Sequence, residues 1–104
     1  MLFISYWELN QDFDPSELAE MAQMVLSKKL FPVEGTKLIG WYMSTGDYWG
    51  ITISEAENEE QMVKGTQVWR MAKPGLFKFS KTSPAIDTAK VLPMVIKLKK
   101  QLEG

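Results

Sequence analysis

The sequence predicts an α+β fold of βαββαβ order, followed by one further helix. Two stretches combine the apolar spacing of amphipathic helices with capping residues at their starts. Four short stretches are rich in aromatic and β-branched residues, and glycine or proline marks most of the boundaries between them. Because a chain of 104 residues suffices for one hydrophobic core, we expect a single domain over residues 1–104.

The first strand is predicted over Leu2–Leu9, a stretch without glycine or proline. Both of its faces are largely apolar, which indicates that the strand is covered on both sides. The first helix is predicted over residues 15–30, with Asp14 as its N-cap and Pro15 at its first position. We expect Lys28 and Lys29 in its last turn, where positive charge favours the helix dipole.

A β-hairpin is predicted between Lys37 and Ile53, and it is rich in aromatic residues. Its strands are expected over Lys37–Ser44 and Tyr48–Ile53, joined by a short polar loop. Each strand contains one glycine, Gly40 and Gly50. Glycine inside a strand indicates a bulge or a close backbone approach.

The second helix is expected to begin near Glu55, because Ser54 and Glu57 have the spacing of a capping box. Its apolar spacing continues through Trp69, and Pro74-Gly75 marks its end. Arg70, which follows that tryptophan, is expected on the same stripe as the apolar residues.

The fourth strand is predicted over Leu76–Lys81, with Phe77 and Phe79 on one face and Ser83-Pro84 ending it. The remaining stretch, Ile86–Leu102, has helical spacing. Because proline disrupts a helix interior, Pro93 either bends one helix or starts a second one after a turn.

This order of elements predicts a ferredoxin-like βαββαβ arrangement: a four-stranded antiparallel sheet, two helices on one face and an extra C-terminal helix. The sequence does not show which strand face meets the helices. In either case the other face is left bare and aromatic, and an exposed apolar patch of this size marks an interface or a binding groove. We therefore expect a homodimer that forms through the open sheet face.

The composition excludes several kinds of chemistry. The chain contains no cysteine and no histidine, so thiolate nucleophiles, disulfides and the usual haem ligand are absent. We expect neither a metal site nor a cofactor, although a site for a hard cation built from carboxylates stays open. No apolar run is long enough to span a bilayer, and the first residues do not resemble a signal peptide. These features favour a cytoplasmic location without a membrane partner.

Charge is unevenly distributed along the chain. Residues 1–60 contain 3 Lys/Arg and 11 Asp/Glu, whereas residues 61–104 contain 9 and 2. Most of this asymmetry follows from acidic first turns and basic last turns in the predicted helices, which complement the helix dipoles.

The chain resembles the dimeric α/β-barrel superfamily, and within it the small single-domain members of uncharacterised function. The resemblance rests on Gly40-Trp41-Tyr42, a glycine in the third strand, Trp69, Phe77-x-Phe79 and Pro84. It implies a ligand pocket between sheet and helices but no particular reaction. The superfamily includes haem-degrading oxygenases, which use a histidine ligand, and the lack of histidine argues against that branch.

Five residues are candidates for ligand binding. Aromatic rings offer a flat ligand a large apolar surface, and an arginine can hold a carboxylate or stabilise an enolate. The same rings suit a core or an interface, and an arginine near a helix end commonly keeps its charge in water. No nucleophile with an adjacent base can be assembled, so catalytic residues stay unknown. The candidates are Tyr6, Trp41, Tyr48, Trp49 and Arg70.

The sequence thus favours a homodimer that binds a small apolar or aromatic molecule. The alternatives are a cofactor-free oxygenase or isomerase, and a structural or regulatory interaction domain. An RNA-binding platform shares the element order, but the third strand has Asp47 where a basic residue is needed, and Ile51 and Ile53 replace the aromatic residues. With a pI near 5.4, we expect no nucleic-acid partner.

Overall fold

Four antiparallel strands form one sheet in the order β2-β3-β1-β4. The computed structural model describes residues 1–104. Along the chain the elements are β1 (Leu2–Leu9), α1 (Pro15–Ser27), β2 (Lys37–Met43), β3 (Trp49–Glu55), α2 (Glu59–Ala72), β4 (Phe77–Ala85) and α3 (Thr88–Glu103). This confirms the ferredoxin-like α+β fold that the sequence predicts.

Helix α1 begins as predicted and ends early. Pro15 follows the N-cap Asp14, whose carboxylate accepts a hydrogen bond from the backbone N–H of Glu17 at 2.9 Å. The helix stops at Ser27 because Lys29 adopts a left-handed conformation (φ 57°), which closes the last turn. The two lysines therefore follow the helix and do not belong to its last turn.

Helix α2 does not begin at Glu55, because β3 extends through that residue and Ser54 is buried in the sheet. The N-cap is Asn58, whose side chain accepts from the backbone N–H of Gln61 at 3.1 Å. The Gln61 side chain accepts in turn from the backbone N–H of Glu57 at 2.9 Å. The capping pair therefore lies four residues beyond the predicted one.

Strand β4 is longer than expected and contains the proline that was expected to end it. Pro84 lies opposite Phe3 of β1, its only strand neighbour. Because β4 is an edge strand, the missing N–H of proline need not break a bond of the sheet. Ser83-Pro84 therefore does not end the strand, which continues to Ala85.

A β-bulge in β4 separates the two phenylalanines. Glu8 pairs with Phe79 and Leu9 pairs with Phe77, so Lys78 is an extra residue between them. The side-chain alternation shifts by one position at this bulge. Phe77 therefore faces the helices and Phe79 the opposite side, contrary to the prediction that they share a face.

The two hairpin glycines lie where the sequence indicates a bulge and a close approach. The β2–β3 register shifts between Leu38 and Gly40, which leaves Ile39 as an extra residue. At Gly50, a Cβ would overlap the six-membered ring of Trp7. Both features of the hairpin are thus confirmed.

Packing under the helices is sparse. Val25 and Met21 of α1 form a small buried cluster with Leu76, and Phe3 is buried elsewhere on the sheet. Only 9 of 104 residues are buried, so much of the space between sheet and helices is not filled by side chains.

Helix α3 is one continuous helix, with Asp87 as its N-cap and Pro93 in its interior. Every residue of α3 except Val91 is exposed. The molecule is consequently elongated, with principal extents of 59 × 31 × 19 Å. No helix of the chain has both the length and the apolarity needed to cross a membrane.

Candidate functional site

A cavity of about 510 Å³ lies between the sheet and helices α1 and α2. This volume is within the range of ligand pockets for small organic molecules. The sheet contributes the floor, α1 and α2 contribute the roof, and the segment between α1 and β2 contributes part of the wall. Representative lining residues are Trp7, Met21, Trp41, Thr52, Met62 and Phe77.

The floor of the cavity is organised by Trp7. Its indole lies over Gly50 of the neighbouring strand, where the absence of a side chain leaves room for the ring. The indole Nε1 donates a hydrogen bond to Oγ1 of Thr52 at 3.0 Å. The ring is therefore held flat on the sheet, and its apolar surface is available to the cavity.

Three aromatic rings form one wall. The ring centroids of Phe31 and Trp41 are 5.2 Å apart, those of Phe31 and Trp69 are also 5.2 Å apart, and the two tryptophans are 5.9 Å apart. Tilted and edge-on contacts at such distances stabilise aromatic clusters. The wall joins β2, α2 and the segment after α1, so it sets the separation of these elements.

The polar side chains of the cavity are the amide of Gln61 and hydroxyls, and most of these hydroxyls belong to the sheet. Ser5 Oγ and Thr82 Oγ1 are 2.9 Å apart and share a hydrogen bond. Ser54 is buried on β3, next to the floor. None of the 27 lining residues is Asp, Glu, Lys or Arg.

This lining selects the charge of a ligand. An ion transferred from water into a cavity without a charged partner loses hydration free energy that hydroxyls replace only in part. An apolar neutral molecule loses little, and serine and threonine hydroxyls can donate to or accept from one or two of its polar atoms. The geometry thus suits a neutral, mainly apolar ligand. The lining offers no carboxylate or amine to exchange a proton with such a molecule.

Arg70 lies outside the lining. Its guanidinium is exposed and donates a hydrogen bond to Ser80 Oγ at 3.1 Å. Because Ser80 itself lines the cavity, this arginine is adjacent to the cavity border. The charge of Arg70 is therefore at the surface, as expected of an arginine near a helix end, and its side chain extends to Ser80 of β4.

Two other candidates lie together on the open face of the sheet, the face without helices. The ring of Tyr6 is 6.0 Å from that of Trp49 and 6.1 Å from that of Phe79. Trp49 is 41% and Phe79 49% exposed, so this aromatic row faces solvent. The Tyr6 hydroxyl donates to Glu8 Oε2 at 2.9 Å, and this bond is the main reason that the pKa of Tyr6 is raised.

Tyr48 occupies a third position. It precedes β3, and its hydroxyl donates to the backbone carbonyl of Phe13 at 3.2 Å. It thereby ties the hairpin to the connector before α1. Among the five candidates, Tyr6 and Trp41 contribute to the cavity lining, and only Trp41 has its ring in the aromatic wall. The structure does not bring the five together at one site.

Sequence reasoning missed two parts of this cavity. Phe31 lies outside every predicted helix and strand, yet its ring completes the aromatic wall. The hydroxyl residues of the floor, such as Thr52 and Ser54, were also overlooked. Their alternation with isoleucines in β3 is the signal that could have shown them.

The chain matches one family model and resembles solved structures at low sequence identity. A family model described as a domain of unknown function (DUF3303) matches residues 1–99. The solved structure of protein Atu4242 from Agrobacterium tumefaciens is 11% identical, with a TM-score of 0.50, covering 80% of this chain and 89% of that one. A NIPSNAP family protein from the same organism is 14% identical, with a TM-score of 0.48, covering 79% and 87%. No curated protein matches the chain.

Proposed function

We propose that this protein, which belongs to the DUF3303 family, is a homodimer that binds a small, neutral, mainly apolar molecule between its sheet and helices. The observation that carries the proposal is the cavity of about 510 Å³, lined by aromatic rings and hydroxyls and by no charged residue. Side chains that fill a protein core pack too densely to leave a cavity of this volume.

The binding mode follows from the lining. A flat apolar ligand fits between the indole of Trp7 on the floor and the wall formed with Trp41. Its polar atom, where it has one, meets the hydroxyls of the floor. Aromatic side chains supply most of the buried area in such sites, and a few hydroxyls fix the orientation of the ligand.

The homodimer accounts for the open face of the sheet. Tyr42 on β2 is 62% exposed, and Trp49 on β3 and Phe79 on β4 are exposed on the same face. A second copy, related to the first by a two-fold axis, packs its open face on this one. The aromatic row of each copy is then covered by the other. The cytoplasmic location favoured by the sequence stays a prediction.

Ligand binding can be tested with a neutral fluorescent probe, N-phenyl-1-naphthylamine, and its anionic counterpart 1-anilinonaphthalene-8-sulfonate. We expect the neutral probe to bind with one site per chain and the anionic probe to bind much more weakly. Thr66 lines the cavity from α2, so Thr66→Phe should fill the space and lower the affinity for the neutral probe about tenfold or more.

The matched control is Val63→Phe, on the exposed side of the same helix. It adds a ring outside the cavity and should leave the affinity unchanged. If Thr66→Phe binds the neutral probe as tightly as the unmodified chain, the cavity is not the site. If the anionic probe binds better than the neutral one, a charged group such as Arg70 takes part and the neutral-ligand proposal is wrong.

A further inference from the structure

Helix α3 presents an apolar stripe that its own chain covers only at the first residue, Val91. At about 100° per residue, four of its residues fall within roughly 60° of one another around the helix axis. Leu98 is 50% and Leu102 89% exposed, whereas Val91 at the start of the helix is half-buried. The α3 stripe consists of Val91, Val95, Leu98 and Leu102.

The spacing of the α3 stripe fits another protein surface better than a flat one. Its members are separated by four, three and four residues, the spacing of a seam that packs on a second element. A helix that lies on a lipid surface carries tryptophan, phenylalanine or leucine on its apolar side and lysine or arginine on the other. α3 has leucines and lysines but no tryptophan or phenylalanine, so a lipid surface is the alternative partner.

The area that the chain exposes points to a second copy as the covering partner. The chain exposes 7542 Å², whereas a compact chain of this size exposes about 5,900 Å². Its radius of gyration is 17.1 Å, against about 13 Å for a compact domain. A standard interface covers about 800 Å² on each partner. A sheet-to-sheet contact of that size thus leaves about half of the excess of roughly 1,600 Å² unexplained.

Charge supports the same partner. α3 contains four lysines and one glutamate, whereas residues 1–60 contain 3 Lys/Arg against 11 Asp/Glu. A two-fold arrangement that brings the basic helix of each copy to the acidic residues 1–60 of the other would make this attraction reciprocal.

We infer that α3 is a clasp: each copy packs its α3 stripe on the second copy, in addition to the sheet contact of the proposed homodimer. The inference rests on that homodimer but concerns a separate surface. The two contacts can therefore be broken one at a time.

The test is sedimentation equilibrium of the full chain. Leu98→Glu places a charge in the α3 stripe and should raise the dimer dissociation constant about tenfold or more. Ile96→Glu is the matched control: it makes the same kind of change on the same helix, about 130° from the centre of the stripe. It should leave the dissociation constant within about twofold.

Because α3 is exposed, both variants should keep the folded domain, which circular dichroism and binding of N-phenyl-1-naphthylamine verify. If Leu98→Glu dimerises like the unmodified chain while Phe79→Glu on the open face does not, the sheet contact stands and the clasp is wrong. If the unmodified chain is a monomer at micromolar concentration, the homodimer itself falls.

A lipid partner gives a different result. The unmodified chain should not sediment with vesicles of phosphatidylcholine and phosphatidylserine. If they do, and Leu98→Glu abolishes that binding without changing the dimer, the α3 stripe belongs to a membrane surface and the inference is overturned.

Discussion

The indole of Trp7 rests on the bare Cα of Gly50, in the strand next to its own. A side chain at that position would collide with the ring and with the backbone carbonyl oxygen of Tyr42, which cannot move independently of the sheet. The floor of the cavity therefore depends on one glycine, and four predictions start from contacts of this kind.

Gly50→Ala should destabilise the protein by about 1–3 kcal/mol, since an added methyl group in this contact forces the ring or the strand to shift. The measurement is urea unfolding, followed by tryptophan fluorescence. Gly46→Ala is the control, because a Cβ there meets nothing within 4 Å. Equal unfolding midpoints for the two variants would contradict this account of the floor.

Removing the acceptor of the Trp7 indole should cost about 1 kcal/mol of unfolding free energy, the usual net value of such a hydrogen bond. Thr52→Val removes the acceptor, and Trp7→Phe removes the donor. In a double-mutant cycle the two changes should be coupled by a similar amount. Strictly additive effects would show that the 3.0 Å contact contributes nothing to stability.

The stability that Asp14 lends to α1 should be lost in acid. Hydrogen bonds, first from the Ser16 hydroxyl and then from the backbone N–H of Glu17, lower the pKa of Asp14 below its usual value of 3.8. Its contribution is therefore fully present above the unfolded value and disappears as the pH falls through the folded pKa.

Titration of the Asp14 carboxyl carbon by NMR checks this. Ser16→Ala should raise the pKa of Asp14, whereas Ser27→Ala at the other end of α1 should not change it. An Asp14 that titrates identically in both variants would remove the Ser16 hydroxyl as the main cause.

The open face should tolerate a charge poorly in the dimer. Phe79→Glu puts a carboxylate beside Tyr6 and opposite Glu8 of β1, and the proposed sheet-to-sheet contact would then bury it without a partner. We expect a dimer dissociation constant at least about tenfold higher by sedimentation. Val63→Glu, an equally exposed apolar position on α2, should leave the dimer intact. Dimerisation of Phe79→Glu at unchanged strength would exclude this face.

Much of the fold follows from local patterns. Asp14 and Pro15 start α1 as predicted, because a cap and a fixed proline φ act within one turn. The start of α2 is different, since Ser54-x-x-Glu57 and Asn58-x-x-Gln61 are both plausible capping pairs. The choice between them depends on β3, whose pairing with β1 keeps Ser54 in the sheet.

The site is harder to predict from the sequence than the fold, because it depends on how neighbouring strands are aligned with one another. One extra residue at Lys78 sends Phe77 to the cavity and Phe79 to the open face. An alternation count along β4 alone cannot show this, since a bulge is a property of two strands together. Trp41 and Trp49, both in the hairpin, lie on opposite faces of the sheet, and this too depends on how two strands, β2 and β3, are aligned.

Pro84 has a further consequence for how the sheet can grow. It lies on an edge strand, where a free row of N–H and C=O groups normally offers a template for another strand. The proline removes one donor from that row, and its ring hinders the approach of a second backbone. Lys78 and Lys81 add like charges along the same strand. This edge therefore disfavours strand addition, so copies of the chain are kept from assembling into an extended, open-ended sheet.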